Sequence, residues 1–402
     1  MTPTEARRSR WAVATMFAAN GFTMGAWAPQ IPLLLPRHGI TESTLGWLIV
    51  ALGVGAVGAM LFAGRLIARH GSRRVVVMFA FALVPMLPLV VFSPSIWLLA
   101  VAMALLGAML GCMDVAMNSV AVEVERRLGR AIMSSSHGFW SLGGFVGGTV
   151  GSWLIARTSA EVQALAAAAI VLAMILAAIP FLKGEPPHPA DHAGDRPRGL
   201  LPRDLGIWVL GGMALFSMVP EGAVLDWAAL YLQDELGAGL FVSGLGFAFF
   251  SGAMAIMRFA GDSVRNRFGA VMTLRVSGIL GAVGLLIGAM AADPVIAIFG
   301  FTLAGFGVAN MVPVLFSAAG NYPGHASGSA ISAVTMVGYA GILVAPSSIG
   351  FVAEHVGLAP TYAALALLLL GVAALAGRAA MADGLAAPSP GPQGITAPGT
   401  TS

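Results

Sequence analysis

Residues 107–148 read GAMLGCMDVAMNSVAVEVERRLGRAIMSSSHGFWSLGGFVGG. Two apolar segments flank a charged turn here, and both hold polar or ionisable side chains. The first, Ile96 to Val122, carries Asp114 and Asn118. The turn carries Glu123, Glu125, Arg126, Arg127 and Arg130. The second, Ala131 to Ala156, carries His137 and Trp140. Segments of this length and apolarity suit membrane-spanning helices, which need about 20 residues each. At about 1.5 Å per residue, Asp114 lies roughly 13 Å inside its helix, near the middle of a ~30 Å hydrocarbon layer. A carboxylate at that depth is costly unless it faces a protein interior or a water-filled cavity, so Asp114 reads as a functional residue.

The rest of the composition agrees with a membrane setting. Hydrophobic residues make up 58% of the 402-residue chain and charged residues 10%, against about a quarter charged in soluble domains. The mean hydropathy is +0.87. The length holds about twelve spans joined by short loops. Cys112 is the single cysteine, so no intramolecular disulfide forms. The net charge of +3 is scattered over loop ends, without a basic patch or nucleic-acid motif. The apolar run from Trp11 is too long for a signal peptide and reads as a first span.

Hydropathy and turn signals predict helices near 11–35, 44–69, 74–93, 96–122, 131–156, 160–182, 205–232, 240–264, 270–291, 294–319, 326–353 and 357–378. Only helices or closed barrels satisfy their backbone in lipid, and these runs are too long for barrel strands. With a cytoplasmic N-terminus, every Lys and Arg except Arg37, Arg157 and Arg258 falls on the cytoplasmic side. That bias places both termini in the cytoplasm, and the membrane is expected to be a bacterial inner membrane. Residues 183–203 are rich in Pro and charge and read as a linker between two six-helix bundles, 1–182 and 204–379. Residues 380–402 read as a disordered tail.

The halves repeat. Phe62-Ala63-Gly64-Arg65 matches Phe259-Ala260-Gly261-Asp262, and each is followed by a basic, Gly-bearing turn containing Arg69 and Arg73, or Arg265 and Arg267. Two parallel six-helix repeats are the plan of a transporter whose halves rock about a central site. The turns resemble the signature of the major facilitator superfamily, although Ala68 stands where an acidic residue is usual. Within that superfamily, Gly111-Cys112-Met113-Asp114-Val115-Ala116-Met117-Asn118 is similar to the fourth helix of the fucose–proton symporter family, and Phe139-Trp140-Ser141-Leu142-Gly143 to its fifth. The chain is also similar to YbjJ-type inner-membrane proteins. The resemblance implies proton coupling at Asp114 and substrate contact at Asn118. His137 and Trp140 replace substrate-facing amides, which argues against fucose itself. Gly25 falls near the acidic position of the family's first helix.

Other buried polar residues carry two readings each. Asp114 and Asn118, four apart on one helix face, suit either proton coupling or an interhelical hydrogen bond. His137 suits a proton relay or a structural hydrogen bond, and Trp140 a stacking contact or packing. Glu221, after a kink expected at Pro220, is a second proton-coupling candidate, whereas Asp226 reads as interfacial. Arg258 is expected to pair with Asp262 one turn on and, with Arg69 and Arg73, to gate the cytoplasmic side. Asn20, Gln30, Asn310, Thr335 and Tyr339 are cavity candidates, and Ser134 to Ser136 read as packing residues.

No P-loop, HExxH or cysteine metal cluster occurs, so an enzyme or ATP-driven pump is not expected. No cofactor or metal is expected beyond a proton gradient as driving force. The sequence predicts an all-α, twelve-helix secondary transporter, acting as a monomer in a lipid bilayer. It takes a small polar, sugar-like solute by proton symport. Proton-coupled efflux of amphipathic compounds is the alternative, and a solute sensor without net flux is the rival of another class.

Overall fold

The computed structural model describes residues 2–184 and 202–384. In chain order the helices are α1 Pro3–Trp27, α2 Ile31–His38, α3 Glu42–His70, α4 Ser72–Leu83, α5 Met86–Val91, α6 Ile96–Leu128, α7 Met133–Arg157 and α8 Ala160–Ala178. The second half has α9 Leu205–Leu230, α10 Leu240–Ala289, α11 Pro294–Val308, α12 Met311–Gly320, α13 Ser327–Val356 and α14 Leu358–Leu375. Ten helices are long and apolar enough to cross a membrane. One of these, α10, turns at Gly269, whose φ of +79° suits a residue without Cβ, and so crosses twice. With α1 and its extension the crossings number twelve, arranged as two six-helix bundles.

The chain breaks where the sequence supplies caps. Thr41, Ser95, Ser159, Asp204 and Asp293 each accept a hydrogen bond from a backbone N–H in the first turn that follows. Several expected boundaries move. The first helix begins at Pro3, because Thr2 and Glu5 form a capping box ahead of the apolar run. The third and tenth spans are each two pieces, α4–α5 and α11–α12, with Pro85 capping α5 and Asn310 capping α12. Pro220 lies within an unbroken α9. The charged turn expected at residues 123–130 is mostly helix. It ends at Leu128, where Gly129 adopts φ +62°. Residues 380–383 belong to a packed 3-10 segment, Ala376–Asp383, in which Ala376, Ala379 and Ala382 are fully buried; the expected tail therefore starts later, and 385–402 lie outside the described residues. The expected linker lies outside them over 185–201.

Both described termini and the linker ends share one face, hereafter the linker face. Ser9 is hydrogen-bonded to Lys183, and Arg265 donates to Ala382 O. Within the first half, α1 and α7 pack backbone to backbone. A Cβ added at Gly25 would lie 2.0 Å from Gly144 O, and one at Gly21 2.0 Å from Trp140 O. No side chain fits at Gly25, so an acidic residue there is excluded by helix contact.

Candidate functional site

Asp114 is 4% exposed at mid-length in α6, and its Oδ2 has no hydrogen-bond partner. Asn118, one turn later, donates from Nδ2 to Asp114 O at 2.9 Å, and the same amide also reaches the carboxyl group. Asn118 Oδ1 lies 3.1 Å from His137 Nε2 on α7. An amide oxygen only accepts, so His137 carries its hydrogen on Nε2. The imidazole sits between the rings of Phe17 and Phe316, at 5.1 and 5.7 Å. Phe316 belongs to the second half, so this group already bridges the bundle.

The second half faces it with an ion pair. Arg258 on α10 donates from one terminal nitrogen to Glu221 on α9 at 3.0 Å, and from the other to Ser141 Oγ on α7 at 2.6 Å. Ser141 Oγ in turn donates to His137 O. Tyr339 on α13 lies within electrostatic reach of Asp114, Glu221 and Arg258. Thr335, one turn earlier on α13, and Asn310 are fully buried, and Thr335 Oγ1 and Asn310 Oδ1 have no hydrogen-bond partner. Arg258 is neutralised by Glu221. Asp114 forms no ion pair among the described residues.

This arrangement corrects one expected pair. Arg258 binds Glu221, not Asp262. Asp262 instead crosses to the first half, where it accepts from Ser134 N at 2.9 Å, Ser135 N at 3.1 Å and Ser135 Oγ. Ser134 and Ser135, expected as packing residues, are the open N-terminus of α7, whose unpaired N–H groups attract an anion. Arg10 completes the cluster by donating to Ser135 Oγ and Ser136 Oγ.

Other candidates scatter. Trp140 Nε1 donates to Asn20 Oδ1 at 2.9 Å, and Asn20 Nδ2 to Leu110 O, so the two are already engaged with each other. Gln30 leaves the site altogether. It is fully buried against α8, donating to Ala160 O and Gln163 Oε1, and ties the first half together. Asp226 is exposed near the outer end of α9. Arg73 donates to Leu182 O within its own half, and Arg69 is exposed; neither bridges the halves in this structure.

The residues that do bridge at the linker face had been assigned to a solvated turn or passed over. Glu125 is fully buried; it accepts from Ile132 N, Met133 N, Ser317 Oγ and Arg265, the last at 3.0 Å. Arg126 donates to Asn321 Oδ1 and Gly320 O, and Asn266 accepts from Ala131 N. The Gly129 helix stop was the available signal, since it carries α6 past both glutamates. On the α7–α10 seam, contact climbs from Asp262 through Phe259, stacked edge-on against Phe139, to Arg258. On the α3–α13 seam it climbs from Ile67–Gly328 through Met60–Ser332 to Gly53–Leu343. Farther from the linker face, a Cβ at Gly46 or Gly252 would meet nothing within 4 Å. The halves are joined at the linker face and along both of these seams.

A family model of the Major Facilitator Superfamily matches residues 13–346. An uncharacterised MFS-type transporter of Yersinia pestis is 37% identical over 366 residues, covering 90% of this chain and 93% of that one. FucP, in its outward conformation, superposes with a TM-score of 0.78 at 16% identity, over 92% of this chain and 97% of FucP. The proton:xylose symporter XylE, bound to 6-bromo-6-deoxy-D-glucose, gives 0.73 at 13% identity, over 93% and 96%.

Proposed function

The chain belongs to the major facilitator superfamily, and as a multi-pass membrane transporter rather than an enzyme it invites a mechanism; we propose proton-coupled symport of a small, neutral, sugar-like solute. The observation that carries this is Asp114: a buried carboxyl group at mid-membrane with an unpaired oxygen and no cation beside it. In low dielectric the inexpensive partner for such a group is a proton. The Glu221–Arg258 pair cancels its own charge, so the cavity with Asp114 protonated is neutral and suits an uncharged polar solute. Among the fold neighbours, XylE couples xylose to protons, which supports the same assignment.

In this mechanism the termini are cytoplasmic, the membrane is the bacterial inner membrane, and the structure is the outward-facing state of a monomer. Asp114 takes a proton from the outer side. Solute then binds between Asn118, Trp140, Asn310 and Tyr339, with Asn20 holding the indole in place. When the halves rock, Ser141 leaves Arg258, whereas Glu221 stays with it because both belong to the second half. Glu221 is the second candidate proton carrier, and His137 connects the first through Asn118. Asp262 closes the inner gate.

The test is uptake into proteoliposomes under an inward proton gradient, with a panel of neutral sugars and polyols. The expected result is gradient-driven accumulation that Asp114→Asn removes while solute counterflow persists. Accumulation by Asp114→Asn equal to wild type would overturn the mechanism. The aromatic rings near the site, Trp140 and Phe316, favour one second reading, proton-coupled efflux of amphipathic compounds. No flux with any sugar, together with pH-driven export of a lipophilic cation, would select it. Binding of a solute without flux in either direction would instead indicate a sensor.

A further inference from the structure

Arg265 makes the buried ion pair with Glu125, and it also faces the end of the chain. The two side chains are 2% and 0% exposed. Arg265 donates to Ala382 O from the nitrogen not facing Glu125, and its Nε lies 3.8 Å from Asp383 Oδ1. Asp383 Oδ2 accepts from Ala270 N at 2.6 Å, capping the helix that restarts after the Gly269 turn. The intervening Ala376, Ala379 and Ala382 are fully buried. The last described turn therefore holds both the turn that carries Arg265 and the guanidinium itself.

We propose that the Ala376–Asp383 segment braces the linker-face closure, with Asp383 as a positioning residue that acts through Arg265. A long arginine side chain gives up several torsions when it is fixed in one place. Here that cost is met before the halves meet, because Arg265, Ala382 and Asp383 all belong to the second half. The first half then docks Glu125 onto a guanidinium already in position. Without the brace, Arg265 is free to turn away, and the joined state loses its preorganised partner. The brace needs no assumption about solute or proton, so it stands or falls apart from the proposed function.

The experiment uses the full-length chain in lipid nanodiscs with Cys112→Ser, and spin labels at Arg127→Cys and Arg267→Cys. These two exposed positions flank the closure on opposite halves. The joined state gives a short inter-label distance and the parted state a long one. Asp383→Ala is expected to move the short-to-long ratio toward the long distance by about tenfold, the scale of one lost charge-assisted hydrogen bond. Asp383→Glu is expected to restore most of it. If Asp383→Ala cannot be recovered folded, Asp383→Asn carries the test with a shift of the same sign. A lowered melting temperature with an unchanged distance distribution would overturn the proposal, since it would show a structural role only.

Discussion

Asp114 and Glu125 are two buried carboxylates on one helix, roughly 16 Å apart along its axis. Their surroundings differ in kind. Glu125 accepts two backbone N–H groups, a hydroxyl and a guanidinium. Asp114 has an unpaired oxygen and no cation. A carboxylate with four donors has its acceptor sites filled and works as a fixed anchor between the halves. One with unmet capacity gains by taking a proton, and giving it up calls for water or a donor to reach the site. Burial alone does not say what a carboxylate does; the inventory of its partners does. In this helix the anchor lies at the face where the halves join, and the under-partnered group lies nearer mid-length.

Five substitutions can break or sharpen this contrast, and the largest effect belongs to the anchor. Glu125→Gln leaves the buried Arg265 with only Asp383, 3.8 Å from its Nε, as counter-charge, which is expected to cost up to about 3 kcal/mol. Thermal unfolding in detergent reads the loss. Asp114→Asn, measured alongside, is expected to unfold within a degree or two of wild type or above it; equal destabilisation by the two would erase the distinction. Next comes Gly25→Ala, which sets a methyl against Gly144 O and is expected to cost about 1–3 kcal/mol through overpacking. A tolerated Gly25→Ala would reopen that position to an acidic residue.

Trp140→Phe removes the indole N–H donated to Asn20 together with part of the ring, a loss of about 1 kcal/mol or more, at least about fivefold in solute affinity by binding titration. The smallest effect belongs to Asp204, a partly exposed carboxylate at the start of α9. Hydrogen bonds from Gly206 N and the Tyr322 hydroxyl hold its carboxyl below the ordinary value of 3.8. A depressed pKa contributes stability that is present above about pH 4 and is lost as pH falls through the folded value. The slight difference in melting temperature between wild type and Asp204→Asn is therefore expected to persist at pH 7 and to shrink as the pH falls below about 4.

Much of this was legible from the chain alone. Long apolar runs interrupted by caps gave the crossings, because lipid leaves the backbone few alternatives. The depth of Asp114 within one run marked it as functional for the same reason. What stayed hidden depended on partners far away in sequence. Glu125 resembled a solvated loop charge until α6 was followed to Gly129, and its partner Arg265 lies 140 residues on. Ser134 and Ser135 are unremarkable in a helix; their use is at its open end, where Asp262 arrives from the other half. Arg258 and Asp262 sit one turn apart and invite pairing, but Glu221 and the α7 N-terminus each offer a better partner. Gln30 had the composition of a cavity residue and the neighbours of a structural one. Periodicity places a residue on a helix face without naming the helix opposite.

The central claim is that Asp114 exchanges the coupling proton, and the direct measurement is proton movement itself. Proteoliposomes holding a trapped pH indicator are given a sugar that the wild-type protein transports, with no imposed pH gradient. The account predicts that downhill solute entry acidifies the lumen with wild-type protein, while Asp114→Asn still exchanges solute but moves no protons. Solute-linked acidification that survives Asp114→Asn would contradict it and assign the proton to another group.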